Sequence, residues 1–131
     1  MGNRAVICFD TFQPKSIGIY LHWNGGRDSI EGFLIATRKH METRGQDAQY
    51  SKARFIQMVT TFFPGNLSVG LDHCENLDCD NYDNGVYVID SKSLEITKRF
   101  NQHMPEQYHH DSQAIADLIL KQIKAAETIK N

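Results

Sequence analysis

The stretch LHWNGGRDS, residues 21–29, marks a corner between a strand and a helix. Its first three residues close the run SIGIYLHW (16–23), whose alternating apolar residues, Trp23 included, predict a strand. After the two glycines, Asp28 and Glu31 have the spacing of a capping box, which predicts that the first helix begins at Asp28. A plain connector needs one glycine at most. A corner that holds an anion would need both.

The hydrophobic pattern on either side of this corner predicts an α+β domain. Further strands are expected at 4–9, 66–72, 85–90 and 94–100; further helices are expected at about 48–63 and from Asp111 or Ser112 onward. The order ββ-αα-βββ-α lacks regular βαβα alternation. It predicts a mainly antiparallel sheet of about five strands with two helices packed on one face and a C-terminal helix.

The length of 131 residues fits a single domain, residues 1–131. Its expected core is 2–100, with a C-terminal helical extension over 108–131. The narrow apolar stripe of the last helix, which includes Ile115, Ile119 and Ile123, suits packing on its own sheet or on a second subunit equally well.

Composition and charge narrow the function classes. The net charge of −2 argues against a protein that coats long nucleic acid, although it leaves room for a local basic pocket. The N-terminus MGNRAVICF lacks the features of a secretion signal, and no apolar run reaches about 18 residues. We therefore expect a soluble cytoplasmic protein without membrane contact. The three cysteines are an odd number, which favours free thiols in a reducing compartment.

The glycine corner is the first candidate binding element. Asn24, Gly25 and Gly26 precede a predicted helix, where glycines can turn backbone N–H groups toward one point and the helix dipole favours negative charge. Arg27 adds a planar fork suited to phosphate. The alternative is a tight turn beside a solvated arginine. The pattern GxxxxGK[ST] of a P-loop is absent.

Two further side chains have both a structural and a functional interpretation. Trp23 is in phase with the apolar face of its strand, so core packing is its first interpretation, although its position at the end of the strand could show a ring face to a pocket. Arg54 falls on or beside the apolar side of the second helix. It either extends its charged end to solvent or reaches a buried anion.

The acidic stretch LDHCENLDCDNYDNGVY (71–87) is the most unusual part of the sequence. A calcium loop starting at Asp78 fails, since its sixth residue is Asp83 rather than glycine and its twelfth is Ile89 rather than glutamate. No second ligand pair supports zinc, so no metal and no cofactor are predicted. Asn81, Tyr82 and Asp83 instead stand at a strand entrance, where amide, ring and carboxylate groups suit a base or ribose.

Several blocks together resemble the first type of phage and prophage Thoeris anti-defence proteins. They are GNRAVI, GIYLHWNGGRDS, the FF that ends the second helix, and LDCDNYDNGVY, and they span Gly2 to Phe100. The resemblance implies a non-enzymatic, homo-oligomeric sponge in the cytoplasm of the infected bacterium. It would sequester cyclic ADP-ribose isomers made by TIR proteins, and some members also take up cyclic nucleotides of another defence system.

The resemblance also implies a set of site residues. Arg27, Arg54 and Arg99 would hold phosphates, while Asn81 and Asp83 would hold the nucleoside. The chain departs from the family pattern in having no aromatic residue in 66–81. Stacking would then fall to Tyr82, Trp23 or Phe100.

Two other classes of function remain open. One is an anti-CRISPR-like inhibitor that covers the surface of a host protein, with the acids of 72–83 imitating nucleic acid. The other is a nucleotide-hydrolysing enzyme. No nucleophile or acid–base motif in the sequence supports hydrolysis, so binding without catalysis is favoured.

Overall fold

A computed structural model of the chain describes residues 2–101 and 103–130. Its strands and helices follow the predicted order, and most of the strands are shorter than predicted. They are β1 (Ala5–Phe9), β2 (Ile17–Leu21), α1 (Arg27–His40), α2 (Ala48–Phe62), β3 (Val69–His73), β4 (Val86–Ile89), β5 (Ile96–Phe100) and α3 (Ser112–Lys130), with a short 3-10 turn at Cys74–Asn76. The α+β prediction is confirmed.

The strands form one five-stranded sheet in the order β3-β2-β1-β4-β5. Neighbouring strands are antiparallel except for β1 and β4, which run parallel with Val6 opposite Val86. The sheet is therefore mainly antiparallel, as predicted. The parallel pair arises because α1, α2 and β3 intervene before the chain returns to the other side of β1.

The main core lies between one face of the sheet and all three helices. Ile7, Ile19 and Tyr87 point from the sheet into this core, where they meet Phe33 of α1 and Phe55 of α2. Burying apolar side chains of this size removes them from water and is the main force that holds the layers together.

The C-terminal helix packs on its own chain. Its core-facing residues are Ile115, Ala116, Ile119 and Ile123, all of them buried. Leu118 on the same helix is 48% exposed. Of the two packing modes left open by the sequence, the structure therefore shows the intramolecular one. The region predicted as an extension contributes to the main core.

The opposite face of the sheet carries a second, smaller core. Val6, Cys8 and Val86 pack there against Cys74, and Leu77 covers them from the segment that follows the 3-10 turn. This thin cover leaves two aromatic side chains, Phe12 and Phe100, more than one third exposed on the same side.

The corner at residues 21–29 differs from its prediction in two respects. The helix begins at Arg27 with Gly26 as its N-cap and without a side-chain cap, so the capping box was wrong. The Asp28 carboxylate instead accepts the backbone N–H groups of Ser29 and His110, because the chain before α3 packs across this corner.

Core packing of Trp23 was also wrong. β2 ends at Leu21, and Asn24 adopts a left-handed backbone with φ of 56°. Trp23 is 44% exposed and makes an edge contact with the ring of His22, at 4.8 Å between centroids. Strand alternation does not extend past the end of the strand, so the phase argument fails for this residue.

None of the helices within residues 2–101 and 103–130 combines the length and apolar character that crossing a membrane requires.

Candidate functional site

The glycine corner holds an anion, and that anion belongs to the chain itself. Asn101 and residues 103–111, here called the strap, connect β5 to α3 across the start of α1. Arg27 Nε donates to Glu106 Oε2 at 2.5 Å, and the Tyr87 hydroxyl donates to the same oxygen at 2.9 Å. The predicted affinity of the corner for negative charge is thus met internally by Glu106.

The two glycines of the corner allow this close packing. A Cβ on Gly25 would come within 2.5 Å of the Asn3 carbonyl oxygen, and one on Gly26 within 2.5 Å of the Gln107 carbonyl oxygen. A larger residue at either position would push away the N-terminal segment or the strap. The glycines therefore serve the approach of two backbone segments.

The pKa shifts of Arg27 and Tyr87 agree with a structural role for this corner. Burial opposes the charge on Arg27, but the hydrogen bond and charge of Glu106 outweigh it and raise the pKa of Arg27. Burial, followed by the contact with Glu106, raises the pKa of Tyr87 above the normal range of a tyrosine. Tyr87 therefore remains a protonated donor to Glu106 at neutral pH.

Arg99 is held in a different way. Its Nε donates to the carbonyl oxygen of Asn84 at 2.9 Å, and its Nη2 donates to that of Met104 at 2.7 Å. Both acceptors are neutral. Within the described residues, no carboxylate lies within the 4.0 Å of an ion pair from this guanidinium. Arg99 is therefore fixed in direction while its charge remains available.

Arg99 is one of the residues that line a cavity of about 460 Å³, here called the aromatic cleft. Phe12 and Phe100 form its apolar wall, with ring centroids 5.3 Å apart and a 42° angle between the rings. The lining residues are Phe12, Cys79, Asp80, Val86, Arg99, Phe100 and Asn101.

A second cavity of about 540 Å³, here called the acidic cleft, adjoins the first. The two cavities share Phe12, Cys79 and Asp80. The acidic cleft has an apolar floor that includes Pro14 and Leu77, while Glu75 and Asp78 are among its polar lining residues. The two cavities together are here called the groove: Arg99 lines the first, Glu75 and Asp78 line the second, and Asp80 lines both.

Tyr82 lies near this groove through a chain of contacts. Its ring, in a residue 60% exposed, stacks on His103 at 4.0 Å between centroids, with a 28° angle between the rings. His103 Nε2 in turn lies 2.8 Å from Asp80 Oδ1, and Asp80 lines both cavities. Tyr82 is therefore a neighbour of the groove through His103 and Asp80.

Asn81 and Asp83 have their polar atoms committed within the chain. Asn81 is buried, and its amide bonds the backbone of Asp78 and Gly85, which shapes the loop before β4. Asp83 Oδ2 accepts the Arg4 Nε at 2.7 Å and the Arg4 backbone N–H at 3.0 Å. That hydrogen bond is the main reason why the pKa of Arg4 is raised.

The structure does not gather all three predicted arginines. Arg27 and Arg99 both lie near enough to Tyr87 to lower its pKa through their charge. Arg54 lies on α2 and does not line either cavity of the groove. Its Nε is buried and has no hydrogen-bond partner among the described residues.

At the corner, the side chain of Asn24 donates a hydrogen bond to Ser29 Oγ at 3.3 Å.

Sequence reasoning missed Phe12, Asp80 and Asn101 as parts of one site. The one local signal was an aromatic residue inside the polar turn TFQPKS. The chain reverses at Asp10, where φ is 68°, and Phe12 then lines both cavities. Within the described residues, no group of three His, Cys, Asp or Glu side chains is arranged to hold a metal ion.

Comparison with protein-family models, with characterised proteins and with solved structures found no match to this chain.

Proposed function

We propose that this chain binds and sequesters a cyclic nucleotide signal, of the cyclic ADP-ribose isomer class, without cleaving it. In this proposal it is a phage or prophage anti-defence protein that acts in the cytoplasm of the bacterial host. The observation that carries the proposal is Arg99, a cation with only neutral acceptors, beside the Phe12–Phe100 pair in a cavity of about 460 Å³. That volume is within the usual range for small-molecule sites.

Each part of a nucleotide has a complementary group in the cleft. Base faces stack on aromatic rings, for which Phe100 and Phe12 are available. The N–H groups of Arg99 that are not bonded to Asn84 or Met104 suit a phosphate oxygen. Asp80 lines the same cavity, and its carboxylate supplies acceptors for ribose hydroxyls.

The raised pKa of Cys79, the cysteine that lines the aromatic cleft, supports binding without cleavage. Burial, then the proximity of Cys74, raises the pKa of Cys79 to about 11. At neutral pH Cys79 is therefore a thiol rather than a nucleophilic thiolate. A sponge needs only tight and reversible contacts, which charge-assisted hydrogen bonds and stacking provide.

Calorimetry with purified protein and cyclic ADP-ribose isomers tests the proposal. We expect the wild-type chain to bind and Arg99→Ala to bind at least tenfold more weakly, about 1.4 kcal/mol. Lys98→Ala is the matched control, because Lys98 is an exposed cation on the same strand that lines neither cavity. Absence of binding by the wild-type chain, or equal losses in both variants, would contradict the proposal.

The fate of the ligand separates sequestration from hydrolysis. The complex is heated to denature the protein, and the released molecule is analysed by chromatography and mass spectrometry. We expect the cyclic compound to be recovered unchanged. Linear or ring-opened products would instead establish the hydrolytic alternative.

The proposal includes a homodimer or a larger homo-oligomer. Leu71 on the edge strand β3 is 59% exposed, and the neighbouring Leu67 is fully exposed. Exposed apolar side chains at a sheet edge favour association with another chain. Light scattering after size exclusion measures the mass in solution, and a monomer at all concentrations would remove this part of the proposal.

A second candidate is an inhibitor that covers a host protein. It is favoured by the exposed acids Asp72, Glu75, Asp78 and Asp80, which follow one another along the groove side of the chain. A cyclic nucleotide that binds the isolated chain with micromolar or tighter affinity would argue against a purely protein-blocking role.

A further inference from the structure

Two thiols from distant parts of the chain meet behind the groove. Cys8 lies on β1, and Cys74 opens the 3-10 turn that follows β3. Their Sγ atoms are 2.9 Å apart, although the residues are 66 positions apart in sequence. Cys8 is 0% exposed and Cys74 is 3% exposed. The two sulfurs are therefore held against each other inside the second core.

Gly18 makes this contact possible. Strand β2 lies between β1 and β3, and Gly18 is the residue of β2 paired with Cys8. A Cβ at Gly18 would come within 3.0 Å of Cys74 Sγ and within 2.9 Å of Leu77 Cδ1. A side chain at this position would therefore require the Cys74 sulfur and the Leu77 side chain to shift. A glycine leaves the space in which the two thiols approach each other.

The two thiols differ in access. Cys74 is among the residues that line the acidic cleft, whereas Cys8 lines neither cavity of the groove. A small oxidant that enters the acidic cleft therefore meets Cys74 first. Cys8 lies behind Cys74, with its sulfur 2.9 Å from that of Cys74, and this position makes it the second, resolving thiol.

We propose that Cys8 and Cys74 form a reversible disulfide when the chain meets a small hydroperoxide. The Cys74 sulfur attacks one peroxide oxygen, the O–O bond breaks, and water and a Cys74 sulfenic acid result. The Cys8 sulfur then attacks the Cys74 sulfur. The S–O bond breaks, and the hydroxyl leaves with the Cys8 proton as a second water. In sum, two thiols and one hydrogen peroxide give one disulfide and two waters.

The geometry requires only a small movement. A disulfide needs its sulfurs about 2.05 Å apart, so the pair has to close by about 0.9 Å from its separation of 2.9 Å. Cys74 stands at the end of β3, in a turn whose remaining residues, Glu75 and Asn76, are exposed. The turn packs in the second core, on the opposite side of the sheet from the main core.

The disulfide would act on both the unfolded and the folded chain. It would close a loop between residues 8 and 74 and so reduce the freedom of the unfolded state. It would also fix the start of the segment 74–79, from which Cys74, Leu77 and Cys79 contribute to the groove. Oxidation would therefore raise the melting temperature and hold one wall of the groove in place. This inference does not depend on the identity of any ligand.

The test is oxidation of the native, reduced protein with hydrogen peroxide. We expect the intact mass to fall by the mass of two hydrogens, and thiol titration under denaturing conditions to fall from three groups to one. Peptide mapping should place the link between Cys8 and Cys74, and dithiothreitol should restore all three thiols. Retention of all three thiols, a Cys74–Cys79 link or an intermolecular dimer would overturn the proposal.

Single serine variants provide the matched comparison. Cys79 lines both cavities and donates from its Sγ to the Cys74 carbonyl oxygen at 3.3 Å, whereas the Cys8 sulfur lies 2.9 Å from the Cys74 sulfur. Cys79→Ser should therefore form the same disulfide as the wild-type chain, and Cys74→Ser should lose it. Failure of Cys79→Ser to form the link would overturn the assignment. Because the main measurement uses the wild-type chain, it does not depend on whether a core variant folds.

Discussion

Arg27 and Arg99 both act on Tyr87 through their charge, but they differ in their own hydrogen-bond acceptors. Arg27 is bonded to the Glu106 carboxylate, while Arg99 is bonded to the carbonyl oxygens of Asn84 and Met104. A cation paired internally with a carboxylate contributes to the fold, because its charge is already compensated. A cation held by neutral acceptors keeps its direction and its charge, which is what a binding site needs.

The strap contacts both arginines. Glu106 of the strap neutralises Arg27, and Met104 of the same strap orients Arg99. One segment therefore closes the glycine corner and shapes the end of the aromatic cleft. The four predictions that follow test this division, beginning with the largest expected effect.

Removal of the Glu106 carboxylate should have the largest effect on stability. Glu106→Ala leaves Arg27 and the Tyr87 hydroxyl without their shared acceptor, in a setting where Tyr87 is fully buried. We expect a loss of about 2 kcal/mol in the free energy of unfolding, measured by urea denaturation.

Glu31 provides the control for this variant. It is the second carboxylate near Arg27, at 3.9 Å from Nη1, and its side chain is 36% exposed. Glu31→Ala should change the free energy of unfolding by less than about 0.5 kcal/mol. Equal losses in the two variants would show that the internal pair has no special role.

Arg27→Ala and Arg99→Ala should separate stability from binding. We expect Arg99→Ala to lower the affinity for cyclic ADP-ribose isomers at least tenfold, about 1.4 kcal/mol, with little change in melting temperature. Arg27→Ala should lower the melting temperature and change the affinity of the folded protein much less. Calorimetry measures the affinity of both variants and thermal unfolding measures their melting temperatures. A larger loss of affinity in Arg27→Ala, or a larger loss of stability in Arg99→Ala, would contradict the prediction.

Phe100→Ala should weaken binding through loss of stacking, by about 1 kcal/mol or roughly fivefold. Phe100 is 43% exposed, so its removal should cost little stability. Phe100→Tyr keeps the ring and is the matched control. Calorimetry should find Phe100→Tyr close to the wild-type chain, and equal weakening in both variants would exclude stacking on this ring.

The smallest expected effect is a loss of stability at high pH caused by Tyr87. The pKa of Tyr87 is raised in the folded state, so its contribution is complete below the ordinary tyrosine pKa, about 10, and is lost as the pH rises above that value. Between pH 10 and 11 the loss should be about 1 kcal/mol. Urea denaturation of the wild-type chain and Tyr87→Phe measures it as the difference between the two pH profiles. Parallel profiles would contradict the prediction.

Local periodicity was enough to predict the elements. The strands and helices of the described residues appear near the positions predicted from residue type and from alternating or helical spacing, because such spacing follows from burying one face of a regular element. Their ends were less accurate. The corner shows the reason, since Gly26 became the N-cap only because the strap packs against it and engages Asp28.

The candidate site was predicted only in part. Arg99 and Phe100 were identified from residue type and position, and both line the aromatic cleft. Phe12 was missed because its partner Phe100 lies 88 positions away (100 − 12) and meets it only after β1, β4 and β5 have paired. Asn81 and Asp83 were identified by type, but their polar atoms bond their own chain.

The sequence by itself determined the α+β class, the order of the elements and the presence of arginines and aromatic residues suited to an anionic, flat ligand. Tertiary structure alone decided which arginine keeps its charge available. Periodicity reports which face of an element is buried, and residue type reports what a side chain can bond. Neither reports which groups from distant segments meet, and Glu106 reaches Arg27 only through the packing of the strap on α1. The contact between the Cys8 and Cys74 sulfurs has the same origin, because it depends on a glycine in the strand between β1 and β3.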